Sequence, residues 1–279
     1  MTTTLRPSEP LQQSADGGRS RSYDICVNSR RVGSVHLTTD AAFGGAVGVI
    51  EDLAVDEPDR GRGRGTVAAL ASEEVLRGWG CDEVRISVPT GSAAGLRLAT
   101  ALGYAERSRN MVKELPVGPP ELPEGFGFRP ITEAEFAEWS ERSLAAFAQS
   151  WIDRGMPEEL ARAKAEDSRR RFLPQGLATP GISVVVALRD TDVVGHLWTG
   201  GLELEPGERS GFVFEVEVAE EQRGKGYGRG LMLLAERLSL AAGESLLGLH
   251  VFAGNTPAIR LYESLGYRTT HLNSAKTLR

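Results

Sequence analysis

The chain has 279 residues, 41% of them hydrophobic and 25% charged, with a formal net charge of −6, the composition of a folded chain of about two ordinary domains. An acidic whole argues against a nucleic-acid binder, which carries a basic balance or a large basic face. Two cysteines, Cys26 and Cys81, are too few for a disulfide framework and lack metal-ligand spacing, and no apolar run reaches the ~18 residues of a membrane span.

In chain order, residues 1–20 lack a signal-peptide core and read as a flexible tail, so the protein is expected in the cytoplasm. A hairpin follows over Ser22–Leu37, turning at "NSRR". An apolar stretch then ends at Val55, and the turn "RGRGRG" (Arg60, Gly61, Arg62, Gly63, Arg64, Gly65) precedes a helical run. "PVGPPELPEGFG" at 116–127 sustains neither a helix nor a central strand and is read as a linker.

Beyond the linker the same order returns. "GFRPI" is strand-like, residues 132–173 are helical by period, and "ISVVVALRDTDVVGHLWTG" is a hairpin. Over Phe212–Val218 the pattern alternates, with Phe212, Phe214, Val216 and Val218 on one face and Val213, Glu215 and Glu217 on the other. The turn "RGKGYGRG" (223–230) leads into a helix, a further strand, the short helix "TPAIRLYESLGY" and a last strand.

A shift of 163 residues, from Arg60 to Arg223, brings the two Gly-rich turns into register. Without a gap it also places Leu102-Gly103-Tyr104 on Leu265-Gly266-Tyr267 and Lys113 on Lys276. A repeat of this length is a duplicated domain rather than a solenoid unit. The expected division is a first domain over 21–115, the linker 116–127, and a second domain over 128–279. The first copy is short: it has no counterpart of the opening strand or of the helical segment 132–173. The strand edge left bare would be open to pairing with a second chain, as in a homodimer.

Strand, R-G-x-G-x-G, helix is an arrangement suited to phosphate. Glycines let successive backbone N–H groups face one concavity, and the helix adds free N–H groups and the positive end of its dipole. The turn alone is a weak signal that a solvated loop also matches. It lacks the Gly-Lys-Ser/Thr of a P-loop, and it follows a hairpin and a strand rather than the first strand of a parallel unit.

The whole series narrows the choice. Hairpin, alternating strand, R-G-x-G-x-G, helix, strand ending near Asn255, then "AIRLYESLGY" closely resembles the GCN5-related N-acetyltransferase family, over about 128–279 fully and 22–115 in part. The resemblance implies two tandem domains of α+β or α/β class, each a mixed, largely antiparallel twisted sheet with flanking helices. It implies acetyl-CoA as co-substrate, with Arg223, Gly224, Lys225, Gly226, Tyr227, Gly228 and Arg229 at the pyrophosphate. The pantetheine arm would run beside Val216 and Val218 in the gap between two splayed strands, and Asn255, at the entry of the next helix, would contact that arm. Asn255 also suits a helix N-cap.

Acetyl transfer to an amine needs a neutral amine, a stabilised oxyanion and a proton for the departing thiolate; it needs no metal, and no metal-ligand cluster is expected. In the family position, Tyr262 is the proton donor, and the Val216 amide would meet the oxyanion. Glu215 is the first candidate for the base with Glu217 beside it, each raising the other's pKa, though both also suit a solvated strand face. His196 and His250 are further candidates that suit packing equally well. Trp151, Trp198 and segment 132–173 are expected to shape the acceptor pocket.

The first copy departs at the telling positions: Ala99 replaces Tyr262, Ser92 replaces Asn255, and Asp52 and Ala54 replace Glu215 and Glu217. Its turn and Val55 remain a candidate second CoA site without catalysis. The reading is thus an acetyl-CoA-dependent N-acetyltransferase acting on a small-molecule or peptide amine. A non-catalytic acyl-CoA sensor is the alternative, and neither nucleic acid nor membrane is an expected partner.

Overall fold

The computed structural model describes residues 3–15, 17–40, 43, 45–205 and 208–278. It divides into two compact units, one of residues 1–108 with 271–279 and one of residues 109–270.

In the first unit the strands are β1 (Thr3–Pro7), β2 (Gln12–Gln13), β3 (Arg19–Val27), β4 (Arg30–Thr39), β5 (Val47–Val55) and β6 (Glu83–Pro89), with helices α1 (Arg64–Gly78) and α2 (Ala93–Ala101). The sheet order is β1-β3-β4-β5-β6, antiparallel except for the parallel β5–β6 pair. Asn28 and Ser29 turn the β3–β4 hairpin with φ of 48° and 67°, the positive values a two-residue hairpin of native twist needs. Tyr23, Val35, Leu37 and Ile50 pack on Leu76 of α1. The alternate residues Ser20, Ser22, Ser34 and His36 are polar, and His36 bonds both Ser20 and Ser22. A polar second face explains how this copy does without the helical segment of the other.

Two expectations are corrected here. Thr3–Pro7 is not a loose tail but β1, in register with Val27–Tyr23 of β3, so the opening strand is present and, among the described residues, it is the helical segment that has no counterpart in the first copy. Its sequence, TTLRP, holds one apolar residue, Leu5, which packs into the core; such an edge strand is specified by its pairing rather than by alternation. The bare edge that suggested a homodimer is covered from within the chain.

The second unit holds the part of β7 (Ala105–Glu114) from Arg109 onward, β8 (Phe126–Pro130), α3 (Glu133–Ile152), α4 (Glu158–Phe172), β9 (Ile182–Arg189), β10 (Asp192–Glu205), β11 (Glu208–Val218), α5 (Tyr227–Ala241), β12 (Leu246–Phe252), α6 (Thr256–Ser264) and the start of β13 (Arg268–Thr277). Its sheet order is β7-β12-β11-β10-β9-β8, with β11 and β12 parallel. One face packs on α5 around Leu197, Val213, Leu231, Leu234 and Leu249. The other, with Val184, Val186, Trp198 and Phe214, packs on Trp139 of α3 and Phe172 of α4. A capping box fixes the start of α3, Thr132 accepting from the Glu135 amide while Glu135 accepts from the Thr132 amide.

The boundary between the units is not the boundary between the sequence copies. His271–Thr277, from the end of the second copy, pairs antiparallel with β6 of the first, while Met111 and Leu115, from the end of the first, join the core of the second. Each exchanged strand brings its lysine to a buried glutamate. Lys276 Nζ lies 2.7 Å from Glu73 in the first unit, and Lys113 Nζ lies 2.6 Å from Glu236 in the second. Glu73 and Glu236 are themselves equivalent under the 163-residue shift.

Glu236 is 1% exposed, so removing its countercharge strands a carboxylate in the core. Lys113→Met is expected to cost ~3–5 kcal/mol in urea denaturation, and the double variant Lys113→Met/Glu236→Leu to recover most of it. A single variant within about 1 kcal/mol of the parent would contradict this role.

Candidate active site

β11 and β12 pair over only three positions, Gly211–Val213 with Leu247–Leu249. β11 runs on to Val218 and β12 to Phe252. Beyond Val213 the two strands part, leaving the β12-facing edge of β11 at Val216 and Val218 without a strand partner among the described residues. The first unit repeats this, β5 and β6 pairing only over Val47–Ile50 and Glu83–Ile86.

The free edge leads into the Gly-rich turn. Gly224 and Gly226 have φ of 77° and 87°, a left-handed backbone that only glycine adopts without strain. A Cβ at either would meet no atom within 4 Å, so conformation rather than packing calls for glycine there. Gly226 starts α5 without a side-chain cap, and no acidic residue stands in the first helical turn; the free N–H groups of that turn therefore present an uncompensated positive end. Arg223 reaches the Val218 carbonyl, Lys225 Nζ bonds Gln222 at 3.0 Å, and Arg229 bonds Ser264 Oγ at 2.6 Å. All three cations are thus on neutral acceptors. Tyr227 packs on the core, and a Cβ on Gly228 would press on Leu261 of α6 at 3.2 Å.

Glu215 lies past the point where the strands part. The alternation expected over Phe212–Val218 is broken there: Trp198 pairs with Glu215 but Thr199 with Val213, so Phe214 is an extra residue in β11. Val213, Val216 and Val218 pack toward α5. Phe214 and Glu215 both meet the α3–α4 layer rather than opposite faces. Glu215 accepts a hydrogen bond from Trp139 Nε1 at 3.0 Å and another from Ser143 Oγ. Burial pushes its carboxyl pKa up, and Glu217 adds to that, while the two donors work against it. Glu217 is not raised in return. His196 and Arg142, at 3.4 and 3.7 Å, hold its pKa below the usual carboxylate value.

A cavity of ≈370 Å³ opens beside Glu215. Its walls include Trp139, Ser143 and Phe147 of α3, Phe172 of α4, Trp198 of β10, Phe212 and Phe214 of β11, and His250 and Phe252 of β12. It therefore spans the fork between β11 and β12. Trp198 lines it as expected; Trp151 does not, and stands behind it, edge-on to Phe147 and Phe252. Burial and Arg154 keep the His250 pKa below its ordinary value, so the ring stays neutral near pH 7.

Tyr262 sits in α6, partly buried against the core and 6.0 Å between ring centroids from Tyr267. Its phenol pKa is raised by burial, and it is not among the residues lining the cavity. Asn255 caps α6, its side-chain oxygen accepting from the Ala258 amide at 3.3 Å. Sequence reasoning missed Trp139 and Ser143, the two residues that hold Glu215. The signal was present as the i, i+4 ladder Trp139, Ser143, Phe147, Trp151 along one face of α3.

In the first unit the turn has the same backbone, with φ of 72° at Gly61 and Gly63. Its charges are arranged differently. Arg64, the first residue of α1, is buried against Asp59, which also takes both guanidinium nitrogens of Arg30 at 2.7 and 2.9 Å. Tyr227 and Gln222 occupy the places of Arg64 and Asp59 in the second copy. Arg60 bonds the Val55 carbonyl at 2.8 Å, and Ala99 is buried where Tyr262 stands.

The sequence profile of the acetyltransferase (GNAT) family matches residues 3–104 and 136–267. The chain belongs to this family. It is 30% identical over 256 residues to a mycothiol acetyltransferase from Streptomyces griseus, covering 84% of this chain and 76% of that one. It is also 30% identical over 152 residues to the uncharacterized N-acetyltransferase YycN from Bacillus subtilis, covering 53% of this chain and 96% of that one. Among solved structures, a GCN5-related N-acetyltransferase from Sphaerobacter thermophilus aligns with a TM-score of 0.61 at 20% identity, over 92% of this chain and 81% of that one. A tandem GNAT protein from the clavulanic acid biosynthesis pathway aligns at 0.51 and 17% identity, over 93% and 83%. The fold is thus that of tandem GNAT domains. Among the described residues no helix is long and apolar enough to cross a membrane, and no group of three or more His, Cys, Asp or Glu side chains could hold a metal ion.

The two strand carboxylates are expected to titrate on opposite sides of 4.5, Glu215 above and Glu217 below. Carboxyl-carbon NMR with Glu215→Gln and Glu217→Gln for assignment reads this directly; the reverse order would contradict the site as described.

Proposed function

We propose that the second unit transfers an acetyl group from acetyl-CoA directly to an amine. The observation that carries this reading is the fork after Val213 and Leu249. On one side its free edge runs into a left-handed Gly turn and an uncapped helix start, which fit a pyrophosphate; on the other it opens on the cavity that holds Glu215. Acetyl-CoA supplies the activated acyl group as a thioester.

The chain's own residues then have distinct tasks. The amides of residues 224–228 hold the diphosphate, with Arg223, Lys225 and Arg229 able to leave their neutral acceptors for it. The open edge at Val216 and Val218 pairs with the amide-bearing arm, and the Val216 N–H meets the oxyanion. Glu215, fixed by Trp139 and Ser143, accepts the ammonium proton; its raised pKa brings it closer to the working range of a base near pH 7. Glu217, charged and paired with His196 and Arg142, keeps negative potential behind it. Tyr262 remains protonated through the whole neutral range because burial raises its pKa, and it donates to the departing sulfur. Asn255 is used as a helix cap, and its part at the cofactor is to set the start of α6.

We infer that the first unit transfers nothing. Asp59 sets a carboxylate beside the start of α1, where the second unit has the neutral Gln222, and Ala99 offers no proton. The turn over Val55 and Arg60–Gly65 is then a retained form without the charge balance of a CoA site.

Tyr262→Phe is expected to lower kcat by at least ~100-fold while the acetyl-CoA Kd stays within about twofold. Because the first unit contributes no turnover, the residual rate should not exceed about 1% of the parent's. Free-thiol release at saturating acetyl-CoA checks both points, and near-parental kcat would overturn the assignment. The rate should also fall as pH drops through the raised Glu215 pKa, since the base is lost on protonation; Glu215→Gln removes that limb together with most activity.

A further inference from the structure

We propose that the acceptor is a primary amine carried on an aromatic body, an arylalkylamine, rather than an amino sugar or a polyamine. This rests on the acetyltransferase reading, whose acceptor site is the cavity at Glu215. Five elements each contribute an aromatic face to its wall: α3, α4, β10, β11 and β12. Trp198 and Phe214 stack with ring centroids 4.7 Å apart, and Phe172 lies 4.8 Å from Phe214. Rings held against rings leave flat apolar faces, which suit a planar ligand.

Polar anchors are few and specific. Glu215 is the one carboxylate in the lining, and two donors aim its oxygens. A buried carboxylate among aromatic faces recognises an alkylammonium twice over, by charge and by cation–π attraction. Arg169, the one cation in the lining, is drawn toward Glu141 at 3.4 Å. The wall is mostly carbon, and beside Glu215 its hydrogen-bonding side chains include Ser140, Ser143, Ser168, Arg169 and His250; each sugar hydroxyl they leave unmatched would lose of order 1–3 kcal/mol. A polyamine would place its second and third charges against the same apolar walls. At ≈370 Å³ the space is at the small end for ligand sites, enough for one or two rings and a short chain.

The test has two arms on the full-length protein. Thiol release from acetyl-CoA is measured with phenethylamine, tryptamine, glucosamine and spermidine. Binding of phenethylamine and of 2-phenylethanol, its uncharged counterpart, is measured by calorimetry without acetyl-CoA. The expected result is a kcat/KM for the arylalkylamines at least ~100-fold above that for glucosamine or spermidine. Glu215→Gln should weaken phenethylamine at least ~10-fold and leave 2-phenylethanol unchanged, and Phe214→Leu, which keeps the volume apolar, should weaken phenethylamine by up to ~10-fold. Arylalkylamine binding with this Glu215 dependence but no thiol release keeps the acceptor assignment and discards the transferase reading. Thiol release with glucosamine or spermidine but not with the arylalkylamines overturns the assignment and keeps the transferase. Neither binding nor turnover with the arylalkylamines also overturns it.

Discussion

At Phe214, β11 holds one residue more than the strand it pairs with, and the rest of the site depends on that insertion. A bulge bends and twists the strand that carries it. Here it coincides with the end of pairing to β12, one residue earlier at Val213. The same residue count also turns Glu215 to the side of Phe214, toward Trp139 and Ser143, instead of into the α5 core. A free strand edge and a buried, oriented carboxylate thus follow from one irregularity. Without it, Glu215 would exchange faces with its neighbours and the aromatic cavity would lose its only acid.

Around this point the two copies have diverged by charge and by cover rather than by backbone. Both keep the fork and the left-handed turn. The second copy covers its outer sheet face with α3 and α4, and so gains an enclosed apolar space. In the first the same face carries Ser20, Ser22, Ser34 and His36, with no counterpart of α3 or α4 among the described residues. At the first turn Asp59 pairs with Arg64 and Arg30, where the second has the neutral Gln222 and Tyr227 in the places of Asp59 and Arg64. The exchanged terminal strands link the folding of the two copies, since each unit is completed by the other's lysine-bearing strand.

Much of this was legible in the residues. The 163-residue repeat, the Gly turns, the hairpins and the helix at "LYESLGY" follow from local chemistry: left-handed glycines, alternation and capping. The features that escaped are those fixed by a partner. "FVFEVEV" alternates on paper, and only the register of β10 shows that one residue bulges out. β1 carries too little apolar pattern to announce itself, and is held by β3. A terminal strand reads the same whichever sheet receives it, so the exchange was invisible until Lys113 met Glu236 and Lys276 met Glu73. Trp139 and Ser143 were hidden because a ladder on α3 is more often core than a support for a carboxylate.

The central claim is that one of the two Gly turns, the second, serves an active site. A crystal structure of the full chain grown with acetyl-CoA tests it most directly. The account predicts ligand density on the amides of residues 224–228, continuing along Val216 and Val218 toward Tyr262, with Asp59 still paired to Arg64 and Arg30 at the other turn. Density on residues 61–65 with the Asp59 pairs broken, and none at the second turn, would contradict it.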